Sequence, residues 1–272
     1  MAHDEGGAVT EDGVSIHYQV HGAGDGEDAG HGAGDVVLIH GLTDCSATWG
    51  PIVGMLASTN RVVTLDLRGH GRSGDSSDYD AVGMARDVAA VVAAAGVVNP
   101  LVIGHSLGGI VATAYAATAQ VRGVINVDQP LQLSAFQEGL RQVEPLLRDP
   151  TSFPEIIAAI FGSMDGAVLP DDLRAEIASH RRPRQEVVLG VWGHVLDTPV
   201  DELEGQIRLL ASTIRAPYLS LEFVEMNDAN ATWLRSMLPQ ASVENWPGLG
   251  HYGHRLDTER FVKRVIDFDR SL

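Results

Sequence analysis

The sequence predicts an α/β fold, a mostly parallel central sheet with helices on both faces, and three observations carry that expectation. Short apolar runs at residues 36–39, 61–65, 101–103, 121–127, 217–223 and 241–246 end in turn residues, as strands buried on both faces do. Stretches with helical periodicity separate them, which supplies the crossovers that parallel strands require. One run stops at Gly104-His105-Ser106-Leu107-Gly108, a Gly-x-Ser-x-Gly placed where a strand reverses into a helix. With 272 residues and 44% hydrophobic content the chain can bury one large core and is not long enough to demand two independent domains.

Residues 8–20 alternate around Glu11-Asp12-Gly13 and predict a hairpin at a sheet edge. Residues 22–35, rich in Gly, Ala and Asp, have little to bury and predict a mobile loop, with His21 and His31 at no fixed metal-ligand spacing. The strand at 36–39 turns at His40-Gly41-Leu42, on the carboxyl side where open α/β sheets keep their ligand crevice. Thr48-Trp49-Gly50-Pro51 opens a short helix to Leu56, the strand at 61–65 follows, and Asp66, Arg68 and His70 sit in a polar loop ending at Ser73. A helix at 87–95 precedes the strand at 101–103, and a second helix at 110–119 follows Ser106. Glycines 104 and 108 clear the turn, while Gly109, Ala112 and Ala116 let the helix approach the sheet.

The sixth strand, 121–127, is stopped by Asp128-Gln129-Pro130. Residues 131–206 then show helical periodicity broken by Pro145, Pro154, Pro170, Pro183 and Pro199, with Phe153, Ile157 and Phe161 on one face. Gly190 and Gly193 suggest a bend that turns Trp192 and His194 toward the crevice, and Trp192 is taken as a substrate-binding residue. A strand at 217–223, a helix at 229–237 and a strand at 241–246 lead to Gly248-Leu249-Gly250, His251 and an amphipathic helix at 257–268.

A serine hydroxyl needs a base and oxyanion donors before it is a useful nucleophile. Together with the elbow, Val36-Val37-Leu38-Ile39-His40-Gly41, Asp66-Leu67-Arg68-Gly69-His70-Gly71-Arg72-Ser73 and Gly248-Leu249-Gly250-His251 resemble the α/β-hydrolase superfamily, in the family's order. The resemblance frames residues 36–130 and 214–268. It implies an α/β-hydrolase core at 1–130 and 207–272 with a helical cap at 131–206 inserted after the sixth strand, Ser106 as nucleophile, His251 as base, and the amides of Leu42 and Leu107 as oxyanion donors. The loop at 66–73 would then serve mainly structural hydrogen bonds, His254 packing or loop capping, and His105 a wall position.

The acid has two candidate places. Most of the family carries it after the seventh strand, where this chain offers Glu225 or Asp228 without the usual turn. Haloalkane dehalogenases and zearalenone-type lactonases carry it after the sixth, where Asp128 stands, and Asp128 is favoured because a carboxylate ending an apolar strand needs a partner. The implied activity is hydrolysis of a small-molecule ester or lactone without metal or organic cofactor. Perhydrolase or haloperoxidase-type use of the same residues, and a slow-turnover hydrolase-fold receptor, are the alternatives.

The formal charge of −17 argues against nucleic acid and anionic membranes as partners. A single cysteine, Cys45, excludes an internal disulfide and reads as a small wall or core residue. The N-terminal Met1-Ala2-His3-Asp4-Glu5 lacks a secretory pattern, and apolar runs fall short of a membrane span, so a cytoplasmic location is expected. Composition sets no oligomeric state.

Overall fold

In a computed structural model, residues 3–22, 34–166, 168–224 and 228–272 are described. Strands β1 (His3–Val9), β2 (Ser15–His21), β3 (Val36–Ile39), β4 (Val62–Leu65), β5 (Leu101–His105), β6 (Gly123–Val127), β7 (Tyr218–Glu222) and β8 (Ala241–Asn245) form one sheet in the order β1-β2-β4-β3-β5-β6-β7-β8. The β1–β2 hairpin is antiparallel and joins β4 antiparallel, and every pairing from β4 to β8 is parallel. The order reverses between β3 and β5, so their following loops diverge and open a crevice beyond the strand ends. The residues between 22 and 34 for which a loop was expected, His31 among them, lie outside the described residues.

Both faces of the sheet are covered, and β3 shows the division within four residues. Val37 and Ile39 join the core shared with α2 (Ala81–Ala94) and α3 (Leu107–Thr118), whereas Val36 and Leu38 join the one shared with α1 (Pro51–Leu56) and α11 (Thr258–Asp269). Helix α2 starts six residues before the expected position 87, because the Asp80 carboxylate accepts from the Gly83 amide at 2.6 Å and caps its first turn. Helix α3 likewise starts at Leu107, directly after the serine, so no connecting turn separates strand from helix.

The loop at 66–73 is a hydrogen-bonded scaffold. Asp66 accepts from the Ser46 and Arg72 amides at 2.7 and 2.9 Å, and Arg68, fully buried, pairs with the equally buried Asp87 of α2 at 2.7 Å. The second partner of Arg68 is Asp12 in the β1–β2 turn, at 2.9 Å. One guanidinium thus ties the hairpin, the loop and a helix together.

Between β6 and β7 run α4 (Ser134–Arg148), α5 (Phe153–Asp165), α6 (Asp171–His180), α7 (Gln185–Asp197) and α8 (Val200–Thr213). The Gln137 amide of α4 donates to the Val195 and Thr198 carbonyls at 2.5 and 2.7 Å, locking α4 to the end of α7. Helix α8 continues past 206 to Thr213, whose hydroxyl reaches the Ala117 carbonyl of α3 at 3.0 Å. The bend expected at Gly190 and Gly193 is absent, and α7 is continuous through both. Gly190 is needed for close approach instead, since a Cβ there would lie 2.7 Å from Tyr79 Cδ2. Short α9 (Asp228–Met237) and α10 (Gly253–Leu256) complete the chain.

Removing Asp87 leaves a buried guanidinium with only the half-exposed Asp12 as carboxylate partner. Asp87→Ala should therefore cost about 3 kcal/mol of unfolding free energy, seen as a lowered denaturant midpoint at unchanged slope.

Candidate active site

Backbone geometry at the end of β5 explains why the sequence around Ser106 is so rich in glycine. Ser106 has φ 53° and ψ −127°, a left-handed conformation that costs a non-glycine residue of order 1–3 kcal/mol. The reversal brings β5 against its own following helix: a Cβ on Gly104 would sit 1.9 Å from the Gly108 carbonyl oxygen, and one on Gly108 would sit 2.2 Å from the Ile39 oxygen. Neither position has room for any side chain. The Ser106 amide is fixed by donation to the Val127 carbonyl at 2.9 Å, and the first turn of α3 closes with Gly109 N to Ser106 O at 2.7 Å.

Asp128 leaves the adjacent strand in the same way, with φ 51°. Its amide donates to the Leu221 carbonyl at 2.8 Å, which holds it against the tip of β7, and its Oδ1 accepts from the Phe223 amide at 2.7 Å. Its Oδ2 lies 2.7 Å from His251 Nδ1. A carboxylate only accepts, so Nδ1 carries the proton and Nε2 is left with its lone pair. The histidine loop is itself anchored: the His251 amide donates to the Met164 carbonyl of α5 at 3.1 Å, and the His251 carbonyl accepts from His105 Nε2 at 2.8 Å.

Ser106, His251 and Asp128 line one cavity of about 540 Å3, together with Leu42 and Leu107. Among the described residues, the Leu42 and Leu107 amides have no backbone acceptor, and Leu107 is the first residue of α3, where the helix dipole favours negative charge. The opposite wall is apolar. Trp192 meets the Phe136 ring edge-on at 5.8 Å and stacks with Phe161 at 6.3 Å, and all three reach the cavity. Phe153, Ile157 and Phe161 are all buried, so the expected stripe faces inward, with Phe161 at the cavity.

Several sequence candidates lie elsewhere. Asp228 is exposed at the start of α9, and Glu225 lies outside the described residues. His194, expected near the crevice, points outward from the unbent α7, where Nε2 sits 3.2 Å from Gln206 Oε1. His254 is buried among Trp49, His105 and Phe223, and burial holds both it and His105 well below the usual imidazole range, hence neutral. His70 is pushed down to about 3 by burial beside His40. Cys45 is half-buried, and burial raises its thiol.

Two buried carboxyl groups near the site were not anticipated. Asp44 accepts from the Tyr252 hydroxyl at 2.8 Å and faces Arg181, which pairs with Asp165 at the end of α5; burial nevertheless raises Asp44 to about 6. Glu222, the last residue of β7, is fully buried, with Oε1 accepting from the Ser220 hydroxyl at 2.6 Å and no described partner for Oε2. Burial pushes Glu222 up to about 7; the Ser220 hydroxyl opposes this, the Asp128 charge adds to it, and His251 again opposes it. The signal in the sequence is the period of two in Tyr218-Leu219-Ser220-Leu221-Glu222, which puts three polar groups on one face of a buried strand.

Residues 36–264 match the model of a family described as the alpha/beta hydrolase family. Among curated proteins, a stretch of 101 residues is 39% identical to a putative carbamate hydrolase RutD of Variovorax paradoxus, covering 36% of this chain and 35% of that protein. Another of 111 residues is 38% identical to a pimeloyl-(acyl-carrier protein) methyl ester esterase of Aliivibrio salmonicida, covering 40% and 37%. The chain thus spans little more than a third of the length of these curated relatives. Of solved structures, an esterase from Rhodococcus sp. aligns over 98% of this chain and 99% of its own, at 27% identity and a TM-score of 0.72. A putative aryl esterase from Burkholderia cenocepacia, at 22% identity, 98% coverage of both chains and a TM-score of 0.74, shares the fold.

Because Glu222 keeps its proton to about pH 7 when folded and would lose it near 4.5 when unfolded, the unfolded state binds fewer protons between these values and stability falls as pH rises through that window. Glu222→Gln removes this dependence. Its stability relative to the parent should rise by about 2 kcal/mol between pH 5 and pH 7.5, read from denaturant midpoints. The fixed cost of burying the amide shifts every pH equally.

Proposed function

The chain belongs to the alpha/beta hydrolase family, and from that premise we propose that it is a serine hydrolase of carboxylic ester or lactone bonds in a small molecule, acting through Ser106, His251 and Asp128. The observation that carries this reading is the 2.7 Å contact between Asp128 and His251 Nδ1 on the wall of the cavity into which the Ser106 elbow opens. Relatives named as a methyl ester esterase and as an esterase support ester bonds as the target.

In this mechanism Ser106 Oγ attacks the carbonyl carbon while His251 Nε2 takes its proton. Asp128 holds the tautomer with the proton on Nδ1 and offsets the charge of the imidazolium. The carbonyl oxygen, now negative, is received by the Leu42 and Leu107 amides at the head of α3. His251 returns the proton to the leaving alcohol, and a water activated by the same nitrogen releases the acyl group from Ser106. No step calls for a metal or organic cofactor. Serine at 106, in place of aspartate, directs the chemistry to acyl transfer and away from displacement at carbon. The helical segment at 131–206 acts as a cap, and Trp192 contributes to the substrate wall.

Ser106→Ala should abolish labelling by a fluorophosphonate and lower hydrolysis of p-nitrophenyl esters or lactones by several orders of magnitude with the fold intact by circular dichroism. Labelling that survives would refute the serine mechanism. Asp128→Asn should lower kcat by about 10³ to 10⁴, whereas Asp228→Asn should stay within a few-fold of the parent. Trp192→Ala should change the ratio of kcat/KM values along a series of acyl chain lengths, by about 1–3 kcal/mol per discriminated methylene, and a uniform loss across the series would place Trp192 in packing alone.

A further inference from the structure

The cavity contrasts with the surface around it. The chain carries 36 acidic and 19 basic residues, yet among the 22 described residues that line the cavity the only ionisable side chains are Asp128 and His251, which are spent on one another. No lysine or arginine reaches it, and none of the residues outside the described ranges is lysine or arginine. Arg181 lies against the Phe161 ring, 4.8 Å from its centroid, but it is not part of the lining, and its charge is taken by Asp165. A carboxylate or phosphate in this cavity would lose its hydration and find no cation, a cost that exceeds what apolar contact returns.

An ammonium would fare no better. Phe136 and Phe161 both rest on Trp192, so the rings form a packed wall instead of an open cage around a cation. Among the described residues, the one carboxylate that lines the cavity, Asp128, already accepts from Phe223 N and His251. What the cavity offers instead is amide chemistry. Gln132, in the segment after β6, accepts at Oε1 from Asn230 of α9 at 3.0 Å, and this bond fixes its side chain at the cavity wall with the Nε2 hydrogens to donate.

We infer that the cavity selects uncharged substrates: esters or lactones with an apolar body, no carboxylate, phosphate or ammonium, and a neutral oxygen acceptor that meets the Gln132 amide. This rests on the serine-hydrolase reading for the reaction but on the cavity lining alone for the selection. The amide supplies a hydrogen bond to an ether, carbonyl or hydroxyl oxygen without the desolvation that an ion would require.

The test uses methyl esters of one chain length ending in methoxy, carboxylate or trimethylammonium, with binding to Ser106→Ala measured by calorimetry at low salt and in 1 M NaCl. At the higher salt the Debye length is about 3 Å, so the long-range field of the acidic surface is removed and only the cavity discriminates. The methoxy ester should bind at least about 100-fold more tightly than either charged ester at both salt concentrations. A carboxylate ester within 10-fold of it in 1 M NaCl, or an ammonium ester that binds more tightly, overturns the inference. Gln132→Arg should raise affinity for the carboxylate ester at least about 10-fold while lowering that for the methoxy ester, a gain that loss of folding cannot imitate. Should that variant not fold, the ratios in Ser106→Ala decide. Absence of fluorophosphonate labelling in the parent protein would sink the hydrolase reading instead, while the binding ratios still settle what the cavity accepts.

Discussion

Two neighbouring parallel strands are each followed by a non-glycine residue with positive φ, and the arrangement of the site follows from it. Ser106 after β5 and Asp128 after β6 both have φ slightly above 50°, and the amide of the first donates to Val127 O, the carbonyl just before the second. A left-handed residue at a strand end turns the chain abruptly and leaves its side chain beyond the sheet edge. Neither turn would hold alone. Helix α3 packed on glycine holds the first, and the Leu221 carbonyl and Phe223 amide hold the second. The sheet therefore fixes the serine and the carboxylate as one unit, and the histidine is added to it from a separate loop.

Much of this was legible in the sequence because buried parallel strands announce themselves as short apolar runs and because the elbow tolerates only glycine at 104 and 108. Among Asp128, Asp228 and Glu225 the residue pattern favours Asp128, because a carboxylate ending an apolar strand needs a partner, but the direction in which the chain leaves each strand tip is not written in it. Asp128 lies against His251, while Asp228 begins an exposed helix. The bend expected in α7 failed for a different reason: glycine marks either freedom or crowding, and Gly190 is glycine because Tyr79 leaves no room. Glu222 was overlooked because it falls inside the apolar run at 217–223, where attention goes to the turn that follows.

Two burial regimes surround the histidine. Toward the cavity the neighbours are apolar or neutral amides, whereas behind it Asp44, Tyr252, Arg181 and Asp165 form a charged cluster joining the core to α5 and α6. Apart from the Asp128–His251 pair, charge around the histidine is thereby kept in the supporting layer, where partners satisfy it.

The main-chain bond from His251 to Met164 has a mechanical consequence. The imidazole hangs from a glycine-containing loop, Gly248 and Gly250 both having positive φ, and part of that loop's support comes from the last turns of α5, not from the sheet. A Cβ at Gly250 would approach the Asp165 oxygen to 2.8 Å, so loop and helix are already in contact. Displacing the end of α5 by more than a hydrogen bond tolerates would break that bond and leave, among the described residues, the His105 contact to the His251 carbonyl as the remaining main-chain anchor. The position of the His251 backbone and the position of the end of α5 are therefore geometrically coupled, and neither can shift by more than a fraction of an ångström without the other.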